Sequence, residues 1–330
     1  MPARPNRRAS PHGMAGGKFP GEASPVQPAP STSLSFRDTL LILAVMIVWG
    51  TNFVVIHIGV EHFPPLLFAA LRFTFALLPA VFFLKRPDAP WSKLAAYGVL
   101  IGAGQFGLLF FAIKGFIAPG LASLVVQSQP FFTILLAAAI AHERVQPFQF
   151  AGLALAAIGI GVILWHTDGS TTPLGIVLVL AAAFCWAAGN IVARSTPRVD
   201  MLAYVVWTSL FAIPPLLALS WAIEGWPAMR DGLVHAPAVA WAAAIWQAVG
   251  NVMFGYAVWG WLLSRYAAAT VAPTSLLVPI FGMGAATIWL GEPLPGWKFL
   301  AAGLVLSGLC VNSLWPRFAA IRAARHPPSS

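Results

Sequence analysis

The sequence predicts an all-α integral membrane protein: ten transmembrane helices arranged as two inverted five-helix repeats. Three observations predict it. Of the 330 residues, 59% are apolar and only 9% charged, where a soluble domain carries about a quarter charged residues; the mean hydropathy is +0.80. Apolar stretches of about 20 residues recur from Thr39 to Leu314, each long enough to cross a bilayer core of roughly 30 Å. Two segments also repeat one another in register. Pro130 to Glu143 and Pro279 to Glu292 span the same interval, Gly159 and Gly308 follow each Glu at the same distance, and Phe150 superposes on Phe299 without a gap. A register shared over roughly 40 residues marks an internal duplication. A membrane β-barrel would instead show alternating segments of about ten residues, and none is present.

Taken in order, residues 1–37 are a basic tail rich in Pro and Ser with almost no bulky apolar residue. Such a tail cannot bury a core and is expected to be disordered; its arginines either touch anionic headgroups or belong to an inert leader. Met14 is as good a start as Met1, and the first apolar run, lacking a small-residue cleavage site, reads as a retained helix. The expected helices are 38–59, 64–84, 93–113, 118–140 and 147–165 in a first repeat (38–165). A second repeat (173–315) holds 173–193, 201–223, 238–263, 268–290 and 295–315, and a cytoplasmic tail (316–330) follows. The loops are too short for another folded domain. Cys185 and Cys310 fall inside helices, form no spacing pattern, and read as small apolar core residues.

Charge placement orients the chain. With the N-terminus in the cytoplasm, the inner side carries Lys85, Arg86, Lys93, Arg144, Arg194, Arg198, Arg265 and the arginines of both tails, while the outer side keeps only Lys114, Arg230 and Lys298. That asymmetry places both termini in the cytoplasm and the chain in the cell inner membrane. It also accounts for the net charge of +9 without nucleic acid, since there is no basic soluble domain to bind it. Five helices per half is an odd number, so the second half enters from the opposite side, with Glu143 at the inner surface and Glu292 at the outer. The starts of the halves agree: Trp49-Gly50-Thr51-Asn52 matches Trp186-Ala187-Ala188-Gly189-Asn190, and His57 and Arg194 follow their tryptophans at the same distance. Inverted repeats of this kind build alternating access around a midplane site.

Several of these runs resemble the EamA family of the drug/metabolite transporter superfamily. They are Trp49-Gly50-Thr51-Asn52-Phe53, Leu71-Arg72-Phe73, Pro119-Gly120-Leu121-Ala122-Ser123-Leu124-Val125, Pro279 and Leu290-Gly291-Glu292. The resemblance covers about 38–315 and implies ten helices in two inverted halves. The stretch 119–129 and Trp186-Ala187-Ala188-Gly189-Asn190-Ile191 are most similar to the O-acetylserine/cysteine exporter branch. That likeness implies export of small amino-acid metabolites. Two residues depart from the branch: His57 stands where it has Lys, and Pro130 where it tends to have Ala.

Residues able to carry chemistry cluster at mid-membrane. Pro130 and Pro279 each lack an N–H and push on the carbonyl four residues earlier, Val126 and Ser275. In hydrocarbon such a carbonyl needs another partner or a wet cavity, so the pair marks either packed kinks or the helix breaks of a central cavity. The buried amides Asn52, Gln105, Gln127, Gln129, Asn190 and Asn251, with Gln247 one turn before Asn251, either glue helices together or line that cavity for a small polar, amino-acid-like solute. An amide supplies both donor and acceptor. Trp49 and Trp186 lie deep enough either to wall the cavity or to pack. Arg72, about eight residues into its helix, meets either a substrate carboxylate or a structural partner. Gly98 and Gly102 permit close helix packing. Every Asp and Glu falls in a tail, in a loop or at a helix end, leaving His57 as the titratable group inside a helix; it serves either a proton step or an interfacial contact. No metal-ligand cluster, nucleotide loop or nucleophile–base pair is present, and no cofactor is called for. The expected function is therefore a secondary exporter whose partners are its solute and membrane lipid. A carrier for a sugar, purine or drug is the alternative; a membrane enzyme would need paired loop acids that are absent, and a scaffold or receptor leaves the inverted repeat unexplained.

Overall fold

The structure, a computed structural model, describes residues 34–141, 144–196 and 200–325, apart from the side chains at 141, 268–269 and 316–325. Ten helices among the described residues are long and apolar enough to cross a membrane: α1 Phe36–His62, α2 Pro65–Phe82, α3 Trp91–Ile113, α4 Pro119–Ile140, α5 Pro147–Trp165, α6 Pro173–Arg194, α7 Met201–Glu224, α8 Ala238–Arg265, α9 Ala272–Leu290 and α10 Gly296–Trp315. The last helix continues to Arg325, and a short helix, Trp226–His235, joins α7 to α8. These limits match the sequence expectation to about one helical turn. The widest difference is at α9, where Ala268–Val271 forms a turn of its own before Pro273, which has no N–H to carry the helix through. Glu143, Arg198 and the tails 1–33 and 326–330 lie outside the described residues.

Local chemistry sets the helix starts. Pro65, Pro119, Pro147 and Pro173 open α2, α4, α5 and α6, where the missing N–H would have no intrahelical partner anyway. Ser35, Thr172 and Asp200 cap α1, α6 and α7 by accepting from the N–H groups of Asp38, Gly175 and Ala203 at 3.1, 3.1 and 2.7 Å.

The packing repeats itself when α1 is exchanged with α6, α2 with α7, and so on. α1 packs on α9 as α6 packs on α4; α3 packs on α6 and α7 as α8 packs on α1 and α2; α2–α7, α4–α9 and α5–α10 pair with their own counterparts. The matching glycines of the sequence register serve these contacts. A Cβ on Gly152 would stand 2.7 Å from the Gly308 carbonyl oxygen, so α5 and α10 touch backbone to backbone there. The departures from α-helix geometry are paired too. α3 and α8 carry π-helical segments at Leu100–Gly107 and Gln247–Phe254. α4 and α9 tighten into 3-10 turns at Val126–Ser128 and Ala272–Leu276, just before Pro130 and Pro279.

An even number of crossings brings the start of α1 and the end of α10 to one end of the bundle, the terminal end. The far end is laced shut. Glu224, at the end of α7, accepts from the N–H groups of Leu66 and Leu67 at 2.7 and 3.2 Å, and Glu292, after α9, accepts from Gly120 N–H at 3.1 Å. Each carboxylate thus satisfies the positive N-terminus of a neighbouring helix, and Lys298 stands 3.7 Å from Glu292. At the terminal end the exchange symmetry fails. α1 touches α3 and α4, but among the described residues the exchanged pairs, α6–α8 and α6–α9, do not pack comparably. An open cavity borders α6 on that side.

Candidate functional site

Two polar groupings lie inside the bundle. The first is dry. Arg72 of α2 is 1% exposed, and its two terminal nitrogens donate to Gln247 Oε1 at 3.3 Å and Asn251 Oδ1 at 3.2 Å. Gln247 in turn donates to Asn52 Oδ1 at 2.8 Å, tying α8 to α1. The guanidinium carbon lies 3.6 Å from the centroid of the Phe106 ring, a cation–π contact that supplies part of the stabilisation lost with water. None of the ion pairs among the described residues reaches Arg72, and its Nε has no hydrogen-bond partner. Trp49 closes one side of the network. Its Nε1 donates to the Asn251 carbonyl at 3.3 Å, and its ring sits 5.7 and 5.3 Å from Tyr256 and Trp259. The glycine at 255 makes room for it, since any Cβ there would collide with the indole.

The second grouping is open. A cavity of about 500 Å³ is lined by Gln129, Pro130, Thr133 and Ile134 of α4, Asn190, Ala193 and Arg194 of α6, Met201 of α7 and Asn312 of α10. It shares Thr133, Ile134 and Arg194 with a second recess of about 330 Å³, which reaches Arg144, Gln146 and Gln149 between α4 and α5. Thr133 locks Gln129 in place: Gln129 Nε2 donates to Thr133 Oγ1 at 2.7 Å, and that hydroxyl donates to the Gln129 backbone oxygen at 3.1 Å. The side-chain amides of Asn190 and Asn312 make no hydrogen bond to the protein among the described residues. Together these groups offer donors and acceptors to a small polar solute between apolar walls.

The sequence-derived candidates thus divide. Gln129, Pro130 and Asn190 come together on the cavity. Asn52, Asn251 and Arg72 meet in the dry network, with Trp49 against it. Gln127 lies between α4 and α9, where its Nε2 donates to the Ser275 carbonyl at 3.3 Å. Pro279 cannot give the Ser275 oxygen the N–H that a regular helix would supply, and Gln127 of the partner helix adds a donor beside the Leu277 N–H of the 3-10 turn. Pro279 itself is buried at the α1–α9 crossing. Gln105 is 6% exposed within the π segment of α3, and Trp186 is half-buried against the core. His57 pairs with Glu61 of its own helix at 3.2 Å. Sequence reasoning missed Thr133 and Asn312 as cavity residues. Thr133 was signalled by its position one turn from Gln129, and Asn312 by being polar in an apolar helix.

Comparison with known proteins follows the same two-part division. The pattern of the EamA-like transporter family matches residues 38–165 and again 173–314. A Salmonella typhimurium protein named "Probable amino-acid metabolite efflux pump" is 43% identical over 285 residues, covering 84% of this chain and 95% of that one. An Escherichia coli protein of the same name is 41% identical over the same shares. A crystal structure superposes with a TM-score of 0.57 at 20% identity, covering 86% of this chain and 98% of its own, which shows a common fold. With ten membrane-length helices, a packing that repeats between halves and an amide-bearing cavity at one end, this multi-pass membrane protein belongs to the EamA-like transporter family.

Proposed function

We propose that the protein is a secondary transporter that exports small amino-acid metabolites, of the cysteine and O-acetylserine kind, across the inner membrane by alternating access. It does so without acting as an enzyme and with both termini in the cytoplasm. The observation that carries this reading is the amide-lined cavity beside α4 and α6, in a chain more than two-fifths identical to proteins named for amino-acid metabolite efflux. A more distant relative, 26% identical, is named "Probable terminal-alkyne amino-acid exporter", which supports the amino-acid class rather than a sugar or purine. In this reading the cavity opens to the cytoplasm, in keeping with the lysines and arginines at the terminal end. Gln129 and Asn190 hold the solute, and the 3-10 turns before Pro130 and Pro279 are where α4 and α9 bend between states.

The test is release from cells. Overproduction should raise the extracellular level of cysteine-pathway compounds and the tolerance of toxic analogues. Everted vesicles should take up labelled O-acetylserine, and an imposed pH gradient shows whether protons drive the uptake. Unchanged release and no vesicle uptake, with the protein present in the membrane, overturn the substrate assignment.

A further inference from the structure

Among the described residues, the cavity lining is cationic beyond what its amides explain. Arg194 lines both of its parts, Arg144 lines the outer recess, and no Asp or Glu lines either among the described residues. Arg194 enters none of the ion pairs formed by the described residues. It sits in the last turn of α6, one turn from Asn190 and on the same face, with Asn312 of α10 on the same cavity. A guanidinium beside two unengaged amides is a donor set matched to a planar oxyanion, which it grips with paired N–H groups. On α4, the lock between Gln129 Nε2 and Thr133 leaves Gln129 Oε1 as an acceptor.

We propose that Arg194 is the carboxylate receptor of this cavity, orienting the solute with its carboxylate toward Arg194 and its amino or amide N–H toward Gln129. The inference rests on the transport reading above and narrows it. The cavity takes carboxylate-bearing solutes of zero or negative net charge and excludes esters and solutes with a cationic side chain. The phosphate of an anionic lipid presents similar oxyanion chemistry at a cavity mouth, so the test separates the two sources.

Binding of O-acetylserine, its methyl ester and lysine is measured by intrinsic tryptophan fluorescence on the full chain, in nanodiscs with and without phosphatidylglycerol. Wild type should bind the acid, bind the ester at least about tenfold more weakly, as expected for one lost charge-assisted contact, and bind lysine more weakly than the acid because its side-chain cation meets Arg194 and Arg144. Arg194→Gln should abolish the preference for acid over ester by weakening the acid, and Arg194→Lys should restore most of it. Equal binding of acid and ester by wild type overturns the proposal, as does Arg194→Gln binding the acid within about twofold of wild type. A preference seen only in nanodiscs without phosphatidylglycerol, and lost when it is present, assigns Arg194 to the lipid phosphate. Binding of none of the three overturns the substrate reading, and this inference with it.

Discussion

Asn190 and Asn52 follow equivalent tryptophans in the two halves, yet one faces an open cavity and the other accepts from Gln247 inside the dry network. The difference predicts opposite phenotypes for the same substitution. Asn190→Leu should reduce transport strongly while leaving thermal stability in detergent unchanged, because no protein hydrogen bond is lost. Asn52→Leu should lower stability by about 1–2 kcal/mol, leaving the buried Gln247 Nε2 without its acceptor. A Tm measurement and an uptake assay on both variants separate the outcomes, and identical behaviour would refute the division into two groupings. Sequence alone picked out these amides as special, because an amide in hydrocarbon always needs a partner or water. It left open which amides had protein partners, since that depends on how α8 turns Gln247 and Asn251 toward Arg72, and the π segment that carries them leaves no mark in residue spacing.

At the scale of a helix, the sequence left the two prolines as packed kinks or breaks, and the structure places a 3-10 turn just before each. Pro279 deprives the Ser275 carbonyl of the donor four residues on, and Gln127 of α4 adds one at 3.3 Å beside the Leu277 N–H of the 3-10 turn. The two residues should therefore be coupled. Gln127→Leu alone should cost about 0.6 kcal/mol, the average for an interhelical hydrogen bond in a membrane. In a Pro279→Ala background, where the restored N–H can serve Ser275, it should cost less. A double-mutant cycle on unfolding stability measures the coupling, and additive effects would show that Gln127 is not the substitute donor. A second element-level prediction concerns α5 and α10. Gly308→Leu forces a side chain into the backbone of Gly152 and should lower stability by about 1–3 kcal/mol through overpacking, read as a drop in Tm. The register that first showed the duplication thus held packing glycines as well as prolines.

For the whole molecule, the repeat specifies two equivalent arrangements, and the structure shows one end laced and the other open. Glu292 on Gly120 N–H and Glu224 on α2 hold the far end, while among the described residues α6 does not pack on α8 and α9 as α1 packs on α3 and α4, and the cavity lies beside it at the terminal end. That asymmetry came from no sequence feature, because either state satisfies the same duplicated pattern, and the two differ only in which contacts are made. Accessibility to a membrane-impermeant maleimide tests it. In a background of Cys185→Ala and Cys310→Ala, a cysteine replacing Asn190 should react from the cytoplasmic face and be protected by a bound solute. A cysteine replacing Ser123, which is fully buried against Gly282 beneath the Glu292 contact, should resist the reagent from the outer face. Adding Glu292→Gln removes the charge that stabilises the start of α4 and should raise the reactivity at position 123 by favouring the opposite arrangement. Equal labelling of the two positions, each from its own side and before that substitution, would show that neither end is held closed.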